Sequence, residues 1–270
     1  MSVGHYENFP VASLLLPRAL RHPVHVIYRF ARSADDFADE GNDPPETRLR
    51  NLGEFQANLV LISKGENPQN PLFEDLARIV RAHGLPLQLF SDLLGAFSQD
   101  VVKNRYADFA ELLDYCRRSA NPVGRLLLHL FHRSNPEACE LSDRICSALQ
   151  LINFWQDVGI DYAQRNRVYL PQDDMCRFGV TEDHLREQRC DRPFQDLMRF
   201  QVERARRMML EGAPLGRILP GRVSLEIRTT MQGGLRVLEK LEHANFDMFG
   251  NRPSLKWLDW PIVLSRALTS

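Results

Sequence analysis

Gln150, Asn153, Asp157 and Asp161 are the side chains whose spacing points most directly to chemistry. In the stretch QLINFWQDVGID they stand at offsets 0, 3, 7 and 11, which on a helix turning about 100° per residue confines them to a stripe roughly 80° wide. Leu149, Leu151, Ile152, Phe154, Trp155, Val158 and Ile160 cover the rest of the circumference, with Gln156 the other polar side chain. A helix this apolar is a buried one. Carboxylates inside it lose hydration that a protein interior does not return. They must therefore face a wet cavity or cations.

A second stripe repeats the pattern near the N-terminus. Tyr28, Arg32, Asp35 and Asp39 stand at offsets 0, 4, 7 and 11 in a helix read over residues 22–40. Val24, Ile27, Phe30, Ala31, Ala34, Phe37 and Ala38 form its apolar face. Asp35 borders that face, and Asp36 is turned about 100° further towards solvent. Asp35 and Asp39 are thus the inward pair. Carboxylate and amide oxygens on two facing helices suit Mg²⁺, which prefers octahedral oxygen coordination and completes its shell with water and substrate phosphate. Neither stripe holds the His or Cys that zinc favours. The Glu-x-x-His pairs of a di-iron bundle are missing too. The implied ligand is a phosphate ester on a hydrocarbon, with the metal making diphosphate a better leaving group.

Positioning these stripes requires helices, and helices are what the remaining patterns predict. Residues 46–63 form an amphipathic repeat, and 71–83 and 86–101 read as two further helices. A helix over 108–132 begins with Asp108 and Glu111 as a capping box and is interrupted at Asn121, Pro122 and Gly124. Residues 181–212 and 223–246 are read as two long helices. Between them and the first stretch, a loop carries Arg165, Arg167 and Tyr169 directly beyond Asp161, a placement suited to an anion. The segment with Asp100, Lys103, Arg105 and Tyr106 reads as an exposed helix end, and Arg204, Arg206 and Arg207 as a solvated face. Trp257 and Trp260 in the tail read as core or interface residues. No strand alternation lasts and no Gly-rich nucleotide loop occurs, so the fold class is all-α. With no linker in the chain, residues 1–270 are read as a single domain.

Charge and cysteine content narrow the partners. The chain's 34 basic and 35 acidic residues nearly cancel, which gives no field for nucleic acid. Five cysteines without metal spacing suggest reduced thiols and a cytoplasmic protein. No apolar run is long enough for a membrane span, which leaves peripheral contact with a membrane surface.

DDFAD, YCRRSANPVG, QLINFWQDVGID with the following RNRVYLP, and the terminal NRPSLKW together resemble the squalene/phytoene synthase family, over nearly the whole chain. The resemblance implies an isoprenoid-synthase helical bundle around a central cavity, in which three Mg²⁺ ions bridge two aspartate motifs and a prenyl diphosphate. Asp35 and Asp39 would be ligands from the first motif, and Asn153, Asp157 and Asp161 from the second. Tyr28, Arg32 and Gln150 match positions lining the diphosphate and first-step region. Tyr115 matches a tyrosine that guides proton or carbocation chemistry, and Arg165 and Arg167 match basic residues after the second motif. His5 and Tyr169 join the substrate-contacting set.

HYENFPVAS, ARSADDFADE, YCRRSANPVGRLLLHLF and NFWQDVGID look most like the bacterial hydroxysqualene synthases of hopanoid biosynthesis. Asn121 and Pro122 stand where other members have a glycine-rich AGxVG, and FWQD replaces ILRD. The implied reaction takes presqualene diphosphate and water to hydroxysqualene and diphosphate, without nicotinamide or flavin. Asn121, with Tyr115, is the expected holder of the quenching water. Head-to-head condensation of prenyl diphosphates is the alternative, and neighbouring pathway enzymes are expected as transient partners.

Overall fold

A computed structural model describes residues 17–41, 43–250 and 252–269. In chain order it has α1 (Arg18–Asp39), α2 (Pro45–Ser63), α3 (Pro71–His83), α4 (Leu87–Val102), α5 (Phe109–Ser119), α6 (Asn121–Leu130) and α7 (Pro136–Arg165). These are followed by α8 (Gln172–Arg177), α9 (Glu182–Arg186), α10 (Arg192–Glu211), α11 (Leu215–Ile218), α12 (Gly221–His243), a 3₁₀ turn (Trp257–Asp259) and α13 (Trp260–Thr269). Among the described residues the β-type pairing is an isolated bridge between Arg105 and Val168, so the all-α reading holds.

Local chemistry sets the boundaries. α3 begins where the Asn70 side chain accepts from the Leu72 amide and ends at Gly84, whose φ of 61° is the left-handed cap that glycine adopts without strain. The Asp108 carboxylate accepts from the Glu111 amide at 2.8 Å, and Glu111 reaches back to the Ala107 amide at 2.6 Å. This is the predicted box, closed one residue earlier. The interruption near Asn121 falls at Ala120, between α5 and α6, where Pro122 supplies no N–H to continue the first helix. The helix read over 181–212 is instead two. Gln188 turns through a positive φ of 52°, and Asp191 then caps α10 ahead of Pro193.

Two cores lie side by side. Phe30 of α1 packs against Phe55, Phe73 and Phe90 at centroid separations of 5.7, 5.9 and 5.2 Å, centring the core of α1–α4. Trp155 of α7 lies in the other, among α5, α7, α10 and α12. Helix α6 supplies both, with Leu126 and Leu130 in the first and Leu128 in the second. A cavity remains where the cores meet.

Three surface readings change in the fold. The Asp100 to Tyr106 segment is no exposed end: Asp100 and Tyr106 are buried, and Arg105 bonds both Glu182 and Asn166. Of the three arginines on α10, Arg204 pairs with buried Asp174 at 2.7 Å and Arg206 with Glu242 at 2.6 Å, while Arg207 is exposed. Trp257 and Trp260 are not core residues, being 78% and 41% exposed. Among the described residues, no helix is long and apolar enough to cross a membrane.

Candidate active site

Helix α7 resolves its own solvation problem in two ways, turning Gln150 and Asn153 to a cavity and pairing Asp157 and Asp161 with arginines. Leu151, Ile152, Phe154, Trp155 and Val158 are buried, whereas Gln150, Asn153 and Asp157 are part-exposed. The cavity has a volume of about 350 Å³. Tyr28, Arg32 and Asp35 of α1 meet Gln150 and Asn153 of α7 at its polar end, and Tyr115 of α5 is also in its wall. Val24, Ile27, Phe97, Leu127, Phe131 and Leu149 make the rest mainly apolar. The side chain of Asp35 is 35% exposed, the opening being to this cavity.

Asp39, Asp157 and Asp161 hold arginines. Arg165 spans the two aspartate motifs, with Nε 3.4 Å from Asp39 and Nη1 3.2 Å from Asp161. Arg167 adds a contact to Asp39 at 2.8 Å. Both oxygens of Asp157 are taken by Arg252, one by its Nε and one by its Nη2 at 2.8 Å, the two-pronged geometry that a guanidinium forms with a carboxylate. On α1, Arg32 contacts Asp35 at 3.3 Å and the more exposed Asp36 at 2.7 Å. Even so, burial, with Asp39 adding repulsion, pushes Asp35 up to about 7. Burial, with Asp157 adding, does the same to Asp161.

Behind this cluster, Asp100 gathers a buried hydroxyl network. The Tyr115 hydroxyl donates to Asp100 Oδ2 at 2.5 Å and the Tyr169 hydroxyl to Oδ1 at 3.4 Å, while Arg167 Nη2 donates to the Asp100 carbonyl at 2.9 Å. Burial pushes the Asp100 carboxyl up to about 7. It also raises Tyr115 well above an ordinary phenol, with the Asp100 charge next in effect. Phe154 stacks on Tyr169 at 3.7 Å and 9°, completing an aromatic wall with Tyr106 and Tyr115.

The fold therefore brings Tyr28, Arg32, Asp35, Tyr115, Gln150 and Asn153 to one cavity, and gathers Asp39, Asp161, Arg165 and Arg167 into one ion-paired cluster. Tyr169 stands behind this wall, bonded to Asp100. Asn121 is a correction to the sequence reading: it is buried, its Oδ1 accepts from Ser147 Oγ at 2.9 Å, and it is not among the residues that line the cavity. Its place at the start of α6 turns it towards α7. His5 lies outside the described residues. Gln156 is also turned away from the stripe, donating to the Pro253 carbonyl at 2.5 Å and tying the tail to α7.

Sequence reasoning missed Asp100 and Arg252. Asp100 could have been found, because Leu93, Phe97 and Asp100 continue one face of α4 at spacings of four and three. Arg252 falls in the terminal NRPSLKW segment, but nothing local marks its partner, which lies 95 residues earlier.

Asp35, Asp39, Asn153, Asp157 and Asp161 offer hard oxygen donors on two helices, and burial holds the Asp35 and Asp161 carboxyls at about 7. That donor set fits Mg²⁺. Among the described residues, no group of three or more His, Cys, Asp or Glu side chains is placed to hold a metal ion.

Comparison with known proteins follows the same lines. The family model described as squalene/phytoene synthase matches residues 3–260. A hydroxysqualene synthase of Rhodopseudomonas palustris is 33% identical over 265 residues, covering 98% of this chain and 88% of that protein. One of Zymomonas mobilis is 40% identical over 185 residues, covering 67% of this chain and 61% of that protein. The crystal structure of a squalene synthase from Alicyclobacillus acidocaldarius superposes with a TM-score of 0.83 at 34% identity, covering 90% of each chain.

Proposed function

Because the chain belongs to the squalene/phytoene synthase family, we propose that it is a hydroxysqualene synthase of squalene and hopanoid biosynthesis, converting presqualene diphosphate and water to hydroxysqualene and diphosphate. The observation that carries this reading is a largely apolar cavity whose polar end is built from both aspartate-bearing helices. A diphosphate headgroup belongs at that end and its hydrocarbon in the rest. On this reading residues 1–270 act as one catalytic domain.

Tyr28, Arg32 and Gln150 receive the diphosphate end of the substrate. Arg165, Arg167 and Arg252 now neutralise carboxylates. They can transfer their N–H donors to phosphate oxygens, which guanidinium groups bind as well as they bind carboxylates. Asp35, Asp39, Asn153, Asp157 and Asp161 would hold Mg²⁺, which would supply Lewis-acid neutralisation of the charge on departing diphosphate. Tyr115, fixed by Asp100, faces the cavity beside the place where positive charge develops. The apolar wall keeps bulk water from a cation that any nucleophile would trap.

Trp257, Leu258, Leu264 and Leu268 are exposed apolar side chains of the tail, suited to transient contact between a cytoplasmic enzyme and the membrane surface that receives so apolar a product.

The decisive experiment incubates the pure protein with Mg²⁺ and presqualene diphosphate and identifies the product. Hydroxysqualene is expected. Condensation of farnesyl diphosphate, with presqualene diphosphate untouched, would overturn the assignment in favour of head-to-head condensation.

A further inference from the structure

We propose that Ser119 positions the water molecule that ends the reaction. The proposal rests on the hydroxysqualene synthase reading and names the group that selects alcohol over hydrocarbon.

Water capture needs a polar group in the cavity wall that is not already committed to the diphosphate end. Asn121 does not reach the cavity. Tyr115 does, but its hydroxyl is bonded to Asp100. Ser119 lies one helical turn beyond Tyr115, on the same face of α5, and also lines the cavity. Its hydroxyl oxygen is buried and has no hydrogen-bond partner among the described residues. Most buried polar atoms have a partner, and leaving one without is costly. Trp155 Nε1 and Thr229 Oγ1 share that condition, but neither residue lines the cavity. Ser119 is thus a residue of the cavity wall whose hydroxyl is unused, and rotation about its Cα–Cβ bond would bring that buried hydroxyl to the reaction space.

A serine hydroxyl swings among three staggered positions about its Cα–Cβ bond. One O–H donor and two lone pairs let it bind a water either way round. Being neutral, it orients that water without offering the cation a charge to collapse on. In the step assigned here, a water lone pair forms the C–O bond to the rearranged carbocation. One O–H bond of that water then breaks, and its proton passes to the diphosphate released in the same turnover. Nothing is oxidised or reduced. Without the positioned water, the cation instead loses a proton from a neighbouring carbon to the same diphosphate and becomes a polyene.

The test compares wild type, Ser119→Ala and Ser119→Thr with presqualene diphosphate and Mg²⁺ in ¹⁸O-labelled water, following diphosphate release and labelled alcohol separately. Ser119→Ala should lower the ratio of alcohol to hydrocarbon at least tenfold, with diphosphate release within threefold of wild type. Ser119→Thr, which keeps the hydroxyl, should retain the wild-type ratio. An unchanged ratio in Ser119→Ala overturns the role of Ser119 while leaving the assigned reaction intact. Parallel loss of diphosphate release and alcohol in both variants marks a structural role and also overturns it. Wild type that releases diphosphate without forming alcohol overturns the functional reading itself.

Discussion

Replacing Asp100 by Asn tests whether a carboxyl is held against ionisation at the back of the site. Asn keeps an oxygen to accept from Tyr115 and removes the titration. In the folded protein burial moves the Asp100 carboxyl from 3.8 to about 7. The unfolded chain therefore releases this proton at lower pH than the folded one. The group's contribution to stability is fully present below about pH 4, is lost progressively as pH rises to about 7, and is constant above that. At about 1.4 kcal/mol per pH unit the full loss is about 4 kcal/mol. Solvent relaxation around a buried charge reduces it, and about 2 kcal/mol is the expected difference. Urea unfolding of metal-free wild type and Asp100→Asn from pH 4 to 8 measures this directly. The variant should gain about 2 kcal/mol relative to wild type across that range, most of it from Asp100 itself and a smaller part from Asp35, whose carboxyl the Asp100 charge also pushes up. A difference that does not vary with pH would refute the reasoning, since it would mean that Asp100 ionises alike in the folded and unfolded chains.

Asp157→Asn should lower turnover at least about a hundredfold while far-ultraviolet circular dichroism stays unchanged; retained turnover would remove Asp157 from the metal-binding set. Gly124→Ala would place a methyl 2.6 Å from Cys146 Sγ, and closer still to Ser142, where α6 meets α7. It should cost about 1–3 kcal/mol in denaturant unfolding, and an unaltered midpoint would mean that the two helices separate freely. Trp257→Ala combined with Leu268→Ala should weaken binding to phospholipid vesicles by about tenfold or more, from the apolar area removed. Equal co-sedimentation of variant and wild type would dismiss the tail as the membrane-facing surface.

Patterns that repeat with the helical period were legible before any coordinates. The stripe on α7 could be read because its buried neighbours made four polar positions conspicuous. The box at Asp108 and the break near Asn121 belong to the same class. Each depends on atoms a few residues apart. Asp100 was misread for the opposite reason: the polar residues that follow it look like solvated surface until Arg105, Val168 and Tyr169 close over them. Asn121 was read from its neighbours in sequence, and a residue at a helix start can turn to either side.

The sequence alone determined that two helices carry acidic stripes too costly to bury without a cation, because side-chain direction along a helix follows from spacing. The tertiary structure decided what those stripes face. It set Arg165 between Asp39 and Asp161, brought Arg252 onto Asp157 from the tail, placed Asp100 behind Tyr115, and left Ser119 rather than Asn121 in the cavity wall. Those pairings join residues far apart in the chain, and their partners are fixed only when the two cores pack and leave the cavity between them.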